Sequence, residues 1–228
     1  MAVVDNPTIS NAVQDYAKAV YSLGARSGDE GVSTSALAER LGVSAASASA
    51  MVKRLDALGL VEHEPYRGVA LTAAGERVAL AVIRHHRLIE LYLAEALGMP
   101  WDEVHAEAEV LEHAISPELS ERIAAKLGNP THDPHGDPIP TPDGEIEEGQ
   151  TTSMQSLEPG ASGVFVRVSD SDPAMLRYLS ERGISPGDRF EIVAKEPFGG
   201  PLSVRFGEDE HMLGGDLTRA MRAEVRAA

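Results

Sequence analysis

Val13, Tyr16, Ala17, Val20 and Leu23 recur at helical spacing, which predicts a helix over residues 8–24 with these five on its core face. Gly24 to Gly31 reads as a loop containing Ser27-Gly28-Asp29-Glu30. A short helix is expected over 33–42, with Ser33 as its cap, and Gly42-Val43 reads as a tight turn. Ser44 caps the next expected helix, which runs to about Leu58 and stops at Gly59. Leu60 to Glu64 and Val69 to Thr72 read as two short strands around a tip at Pro65-Tyr66-Arg67-Gly68, the pattern of a β-wing. Helix, turn, helix and wing in this order form a DNA-binding arrangement, although two helices joined by a glycine turn also occur in other helical domains.

Thr72 caps a long expected helix over 73–97 that is apolar around much of its circumference, as a helix buried on several sides and suited to a dimer core would be. Gly98-Met99-Pro100 breaks it. A further helix is expected from Trp101 to Ile115, and another over 117–127 that ends at Gly128. Residues 129–151 hold five prolines before residue 145 and read as an ordered packing loop or a linker. Beyond them the period changes to two. Gly163 to Val168, Arg189 to Val193 and Leu202 to Phe206 read as strands, with one helix from Pro173 to Arg182, which predicts a small β-barrel. The fold class is therefore α+β. Its segments are a winged helix-turn-helix (1–73), a helical domain (74–141), a linker (142–151) and a barrel (152–228).

The chain has 228 residues and is 43% hydrophobic, enough for two or three domains with real cores. It has no cysteine, which excludes disulfides and thiolate metal sites and suits a reducing cytoplasm. The first ten residues have neither a basic nor a long apolar run, so no signal peptide is expected, and no stretch reads as membrane-spanning. The net charge of −16 argues against nucleic acid until it is divided. Residues 1–90 carry 9 basic and 10 acidic side chains, residues 91–160 carry 2 and 15, and residues 161–228 carry 9 and 11. The acidity lies in the middle, and a nearly neutral first third with Lys53, Arg54 and Arg67 can still approach a duplex.

Candidate chemistry lies in that acidic middle. His105, Glu109, Glu112 and His113 fall at i, i+4, i+7 and i+8, on one face of the expected helix beside an apolar stripe of Val104, Ala108, Leu111 and Ile115. Glu109-x-x-Glu112-His113 lets one helix present three oxygen and nitrogen ligands to one divalent ion. A hydrated, salt-bridged face would use the same residues. His86 and Glu90 change that balance. They sit at i, i+4 among apolar residues, where burial without partners is costly, and a metal with His105 as third ligand would satisfy both. His132-x-x-His135 with Asp133 and Asp137 is a second candidate, read as loop structure because of its prolines. Asp15 alone reads as a solvated carboxylate.

Four segments carry a family resemblance: Ser35-Ala-Leu-Ala-Glu-Arg-Leu-Gly-Val-Ser44, Arg84-His-His-Arg-Leu-Ile-Glu90, Val104-His-Ala-Glu-Ala-Glu-Val-Leu-Glu-His113 and His135-Gly-Asp-Pro-Ile-Pro140. Together they resemble the diphtheria-toxin-repressor family of metal-dependent transcriptional regulators, including its manganese-responsive branch, and the C-terminal region is similar to that family's SH3-like (FeoA-like) domain. The resemblance implies two metal ions per subunit. A regulatory site would use Asp15, Glu109, Glu112 and His113. An ancillary site would use His86, Glu90 and His105, with Asp172 from the barrel, where iron-type members have a Glu; Met175 stands where they often have a Gln. Iron-type members also carry Cys at the position of Glu109 and Met at that of Asp15. Hard oxygen in place of soft sulfur favours Mn²⁺, while Fe²⁺, Co²⁺ and Zn²⁺ are not excluded by affinity. Lys18 stands where some manganese regulators lacking the barrel have a Glu ligand, which argues against a closely spaced dinuclear site.

These features imply a cytoplasmic homodimeric repressor, activated by Mn²⁺ to bind a double-stranded operator, with an Fe²⁺-dependent regulator of iron uptake as the alternative. Ser44, Ser47 and Ser49 would meet phosphates or base edges, with Lys53, Arg54 and Arg67 on the backbone. A dinuclear metal hydrolase is the rival from another class. It would need an open coordination position beside a substrate pocket, and no nucleophile motif or phosphate loop is present. The chain is therefore expected not to be an enzyme.

Overall fold

The computed structural model describes residues 9–27, 31–64, 68–147 and 149–225. The chain divides into two units. The first comprises Met1–His86, Glu112–Ser120 and Pro140–Glu145, and the second Arg87–Leu111, Glu121–Ile139 and Ile146–Ala228.

In the first unit, α1 (Asn11–Ser27), α2 (Thr34–Arg40) and α3 (Ala45–Ala57) precede a hairpin of β1 (Val61–Glu64) and β2 (Gly68–Leu71). Val13, Tyr16 and Val20 of α1 pack in one core with Leu37, Ala48, Val52, Leu55 and Val69. α1 starts three residues later than expected and runs on through Gly24. Both predicted caps are made: Ser33 Oγ accepts from Ala36 N and Ser44 Oγ from Ser47 N, each at 3.1 Å. β1 and β2 pair antiparallel, Val61 opposite Leu71. The wing tip at 65–67, with Arg67, and residues 28–30 of the first loop lie outside the described residues.

α4 (Ala73–Leu97) matches its expected bounds, and Thr72 Oγ1 accepts from Gly75 N at 3.1 Å as its cap. The helix expected over 101–115 is shorter. α5 spans Val104–Leu111, and 101–103 and 112–115 are turns, so Glu112 and His113 sit just past its end. Presentation in a turn frees their side chains from the helical i, i+4 spacing. α6 spans Pro117–Lys126, and Gly128 (φ +79°) ends it.

The second unit contains the C-terminal sheet: β3 (Thr152–Ser153), β4 (Ser162–Val168), β5 (Arg189–Lys195), β6 (Leu202–Phe206), β7 (Asp209–Leu213) and β8 (Met221–Val225). All neighbours in the order β3-β8-β4-β5-β6-β7 are antiparallel. α7 (Pro173–Ser180) and α8 (Gly215–Ala220) complete it around a core that includes Phe165, Leu176, Ile192, Val204 and Met221. No described helix is long and apolar enough to cross a membrane.

Candidate metal centres and DNA-binding face

In the first unit, Asp15 on α1 meets the turn that follows α5. His113 Nε2 lies 2.8 Å from Asp15 Oδ1 and 3.5 Å from Glu112 Oε1. The other ring nitrogen, Nδ1, donates to Gln14 Oε1 at 2.6 Å, which fixes the tautomer and aims Nε2 at the two carboxylates. Sequence reasoning missed Gln14, because a glutamine on a polar helix face carries no signal until its partner is known. The Glu112 side chain is 0% exposed. Lys18 Nζ donates to its two oxygens at 3.1 and 2.8 Å, and His86 Nδ1 lies 2.5 Å from Oε2. His85 Nδ1 lies 3.2 Å from the Glu112 carbonyl, which helps hold the turn.

Asp15, Glu112 and His113 thus converge two carboxylates and one imidazole from separate parts of the chain, a hard oxygen and nitrogen set that fits a divalent ion. Asp15, a solvated carboxylate when read alone, is drawn into the cluster by α1.

In the second unit, Glu90 of α4 is fully buried and His105 of α5 is held between two carboxylates. His105 Nδ1 lies 3.1 Å from Glu90 Oε1 and 2.9 Å from Asp170 Oδ2. Those hydrogen bonds, that to Asp170 first, outweigh burial and raise the His105 pKa from 6.5 to about 10. Asp170 is held low in turn by the same imidazole, against the effect of its own burial. The residue expected beside His105 from this part of the chain is Asp172. Asp172 is the N-cap of α7, its Oδ1 accepting from Ala174 N at 2.9 Å, and the carboxylate that reaches His105 is Asp170. Met175 packs against the sheet core. Glu109 Oε1 lies 3.8 Å from His105 Nε2.

The proline loop supplies two more donors. His135 is 0% exposed, and its Nε2 donates to the Trp101 carbonyl at 2.8 Å. Its Nδ1 is buried, makes no hydrogen bond among the described residues and faces Glu90 Oε2 across 3.7 Å. Burial opposes protonation of His135, but Glu90 outweighs it and raises the pKa to about 9. Asp133 is pushed well above the carboxylate range by burial and then by Asp137 and Glu90. An orphaned ring nitrogen facing buried carboxylates is a place for a cation, and Glu90, Asp133 and His135 bring ligand atoms together there. The other two candidates of this loop are not among those ligand atoms: His132 is exposed beside Thr131, and the Asp137 carboxylate, though next to Asp133, is 3.4 Å from Arg87 and 3.3 Å from Arg167.

On α3, Ser47, Ser49, Lys53 and Arg54 are exposed, as are Ala45, Ala46 and Ala50, while Ala48, Val52 and Leu55 face the core. Ser44 is also exposed, with its hydroxyl engaged by the backbone of Ser47.

A winged helix-turn-helix joined to clusters of carboxylate and imidazole defines a metal-responsive DNA-binding regulator. Comparison with known proteins agrees. The iron-dependent repressor N-terminal DNA-binding domain matches residues 8–69, the iron-dependent repressor metal-binding and dimerisation domain residues 72–141, and the FeoA domain residues 152–225. The iron-dependent repressor IdeR of Mycobacterium leprae (strain TN) is 32% identical, over 92% of this chain and 95% of its own. The diphtheria toxin repressor of Corynebacterium efficiens is 36% identical, over 82% of this chain and 85% of its own. A solved structure described as a manganese-dependent transcriptional repressor complex with manganese is 44% identical and superposes with a TM-score of 0.88, covering 94% of this chain and all of the other. The chain belongs to the iron-dependent repressor family, that of the diphtheria toxin repressor, and is a metal-dependent transcriptional repressor.

Proposed function

We propose that this repressor is activated for operator binding by Mn²⁺, through a regulatory centre of Asp15, Glu109, Glu112 and His113. The carrying observation is the convergence of Asp15, Glu112 and His113, with no sulfur in the set and no cysteine in the chain. Glu109 joins this proposal by its position three residues before Glu112. A bound divalent ion supplies positive charge shared by carboxylates that otherwise repel. The chain's own residues do the rest. Asp15 ties α1 to the 112–113 turn, Gln14 orients His113, and α1 shares a core with α2 and α3. Fixing α1 therefore restricts the placement of the recognition helix α3. The competent state is favoured, and DNA in turn tightens metal.

An ancillary centre of Glu90 and His105 is the second part of this reading. Asp170 replaces Asp172 in it, and Asp133 and His135 stand ready as further donors. His86 is assigned there by its i, i+4 spacing from Glu90. Two ions per subunit follow. The similarity to a manganese-dependent repressor supports Mn²⁺, and the iron-dependent relatives make Fe²⁺ the competing activator. The double-stranded operator would be contacted by Ser44, Ser47, Ser49, Lys53, Arg54 and Arg67, and a cytoplasmic homodimer without catalytic activity completes the reading. Exposed Leu97 and Val110 offer apolar surface for the dimer. The functional segments are 1–73, 74–141, 142–151 and 152–228.

Operator binding titrated with Mn²⁺, Fe²⁺, Co²⁺ and Zn²⁺ tests this, wild type against Glu109→Cys. Mn²⁺ is expected to activate wild type, and the cysteine variant is expected to shift the ranking toward softer ions. Equal operator affinity with Mn²⁺ and with chelator would refute metal activation, and an unchanged ranking would remove the case for manganese.

A further inference from the structure

Lys18 stands inside the regulatory cluster and has no place in its ligand set. Three residues after Asp15 on α1, it sends its ammonium to Glu112, donating to both carboxylate oxygens at 3.1 and 2.8 Å, and lies 3.2 Å from His86 Nδ1. Its side chain is 16% exposed, against 0% for Glu112. An ammonium has three donors and no acceptor, so it cannot ligate a cation. It occupies a cation's place.

We propose that Lys18 is an internal competitor for metal, which sets the threshold of the regulatory centre and restricts it to one ion. This rests on the regulatory centre argued above. A buried carboxylate without a counter-charge is costly, and the Lys18 ammonium supplies that charge when no divalent ion is bound. Lys18 and His86 between them engage both oxygens of Glu112. A divalent ion binding through Glu112 must share an oxygen with one of these donors or displace it, and in either case it sits close to a like charge. Affinity is thereby held below that of the same ligands without the lysine, as suits a sensor that must release its ion. A second ion beside Glu112 and His86 would need the volume that Nζ fills.

The test is Mn²⁺ binding to the full chain, followed by the electron paramagnetic resonance signal of free Mn²⁺, for wild type, Lys18→Gln, Lys18→Arg and Glu112→Gln. Sites lost in Glu112→Gln identify the regulatory centre. At those sites Lys18→Gln is expected to bind Mn²⁺ about tenfold more tightly or better, because the competing charge is gone. Lys18→Arg keeps the charge, and its guanidinium can grip the carboxylate in a fork, so its affinity is expected to equal wild type or fall below it. Without metal, Lys18→Gln is expected to melt below wild type and to gain more from Mn²⁺. Unchanged or weaker binding by Lys18→Gln would overturn the proposal, as would tighter binding by Lys18→Arg should the glutamine variant not fold. If wild type shows no Glu112-dependent site, the regulatory centre fails first and takes this inference with it.

Discussion

Replacing Asp170 with Asn separates an ancillary centre built on Asp170 from the one expected from sequence. Asp170 Oδ2 is 2.9 Å from His105 Nδ1 and is the largest cause of the raised His105 pKa of about 10; Glu90 at 3.1 Å is the next. Loss of the Asp170 charge should lower the His105 pKa, which stays above 6.5 because Glu90 remains. A charge-assisted hydrogen bond contributes about 1.5–3 kcal/mol, and side chains 27% and 29% exposed place this one near or below the lower end. A folded pKa raised above 6.5 gives stability that is full below pH 6.5 and is lost as pH rises through about 10. The metal-free variant should therefore melt roughly 3–6 °C below wild type at pH 6, and the gap should close above pH 10. Mn²⁺ affinity at this centre should fall roughly 10–100-fold. The reporter is built in. Trp101, the chain's single tryptophan, stacks on His135 at 5.9 Å between centroids and 24° between planes, and His135 faces Glu90. Its fluorescence should follow this centre. Asp172→Asn keeps an N-cap residue and should leave both melting and titration as in wild type. Equal titrations for Asp170→Asn and Asp172→Asn would refute the assignment.

Glu112→Gln removes the buried charge opposite the Lys18 ammonium and should cost about 3 kcal/mol, lowering the metal-free melting temperature by roughly 6–12 °C and removing most of the gain on adding Mn²⁺; wild-type melting with and without Mn²⁺ would contradict the role given to the Lys18–Glu112 pair. Gly75→Ala would place a Cβ 1.9 Å from the Leu60 carbonyl oxygen at the junction of wing and α4, a clash with backbone, so denaturant titration should show a net loss of about 1–3 kcal/mol despite alanine's better helix propensity; unchanged stability would mean that this approach is not made. Lys53→Ala and Arg54→Ala should each weaken operator binding and lower the slope of log K against log salt by about 0.9 if each neutralises one phosphate, read by fluorescence anisotropy across salt concentrations; an unchanged slope would remove that residue from the interface.

Periodicity and caps were legible where local rules decide the structure. The spacing of Val13, Tyr16 and Val20, the serine caps at 33 and 44 and the bounds of α4 needed no tertiary knowledge to read, because helical periodicity and capping residues show within a short window of sequence. The end of α5 did not follow the same logic. The ligand spacing through Glu112 and His113 reads as continuous helix, yet the backbone turns after Leu111, where the Glu112 carbonyl meets His85 and its carboxylate meets Lys18. Partners 27 and 94 residues away in sequence hold that turn, and no local window contains them. β7 escaped for a related reason, since Asp209–Leu213 does not alternate and is held by pairing with β6; β8 (Met221–Val225) does alternate but is only five residues long, next to α8, and is held by pairing with β4.

The proline loop shows why donor atoms were harder to place than elements. Prolines and a glycine between His132 and Pro140 read as structure, and structure is what they make: Asp133 Oδ1 accepts from the backbone of His135 and Asp137 at 2.8 and 2.9 Å, and Gly136 at φ +86° packs where a Cβ would lie 1.9 Å from the Val166 carbonyl oxygen. That rigidity is what fixes His135. A ring held by the Trp101 carbonyl at one nitrogen cannot turn to relieve the other, so Nδ1 stays turned toward Glu90. Structural and functional readings of the loop are therefore not rivals. The same backbone order that made it read as a packing loop holds a buried imidazole ready beside Glu90, and a looser, more polar loop, easier to read as a binding loop, would hold it less well.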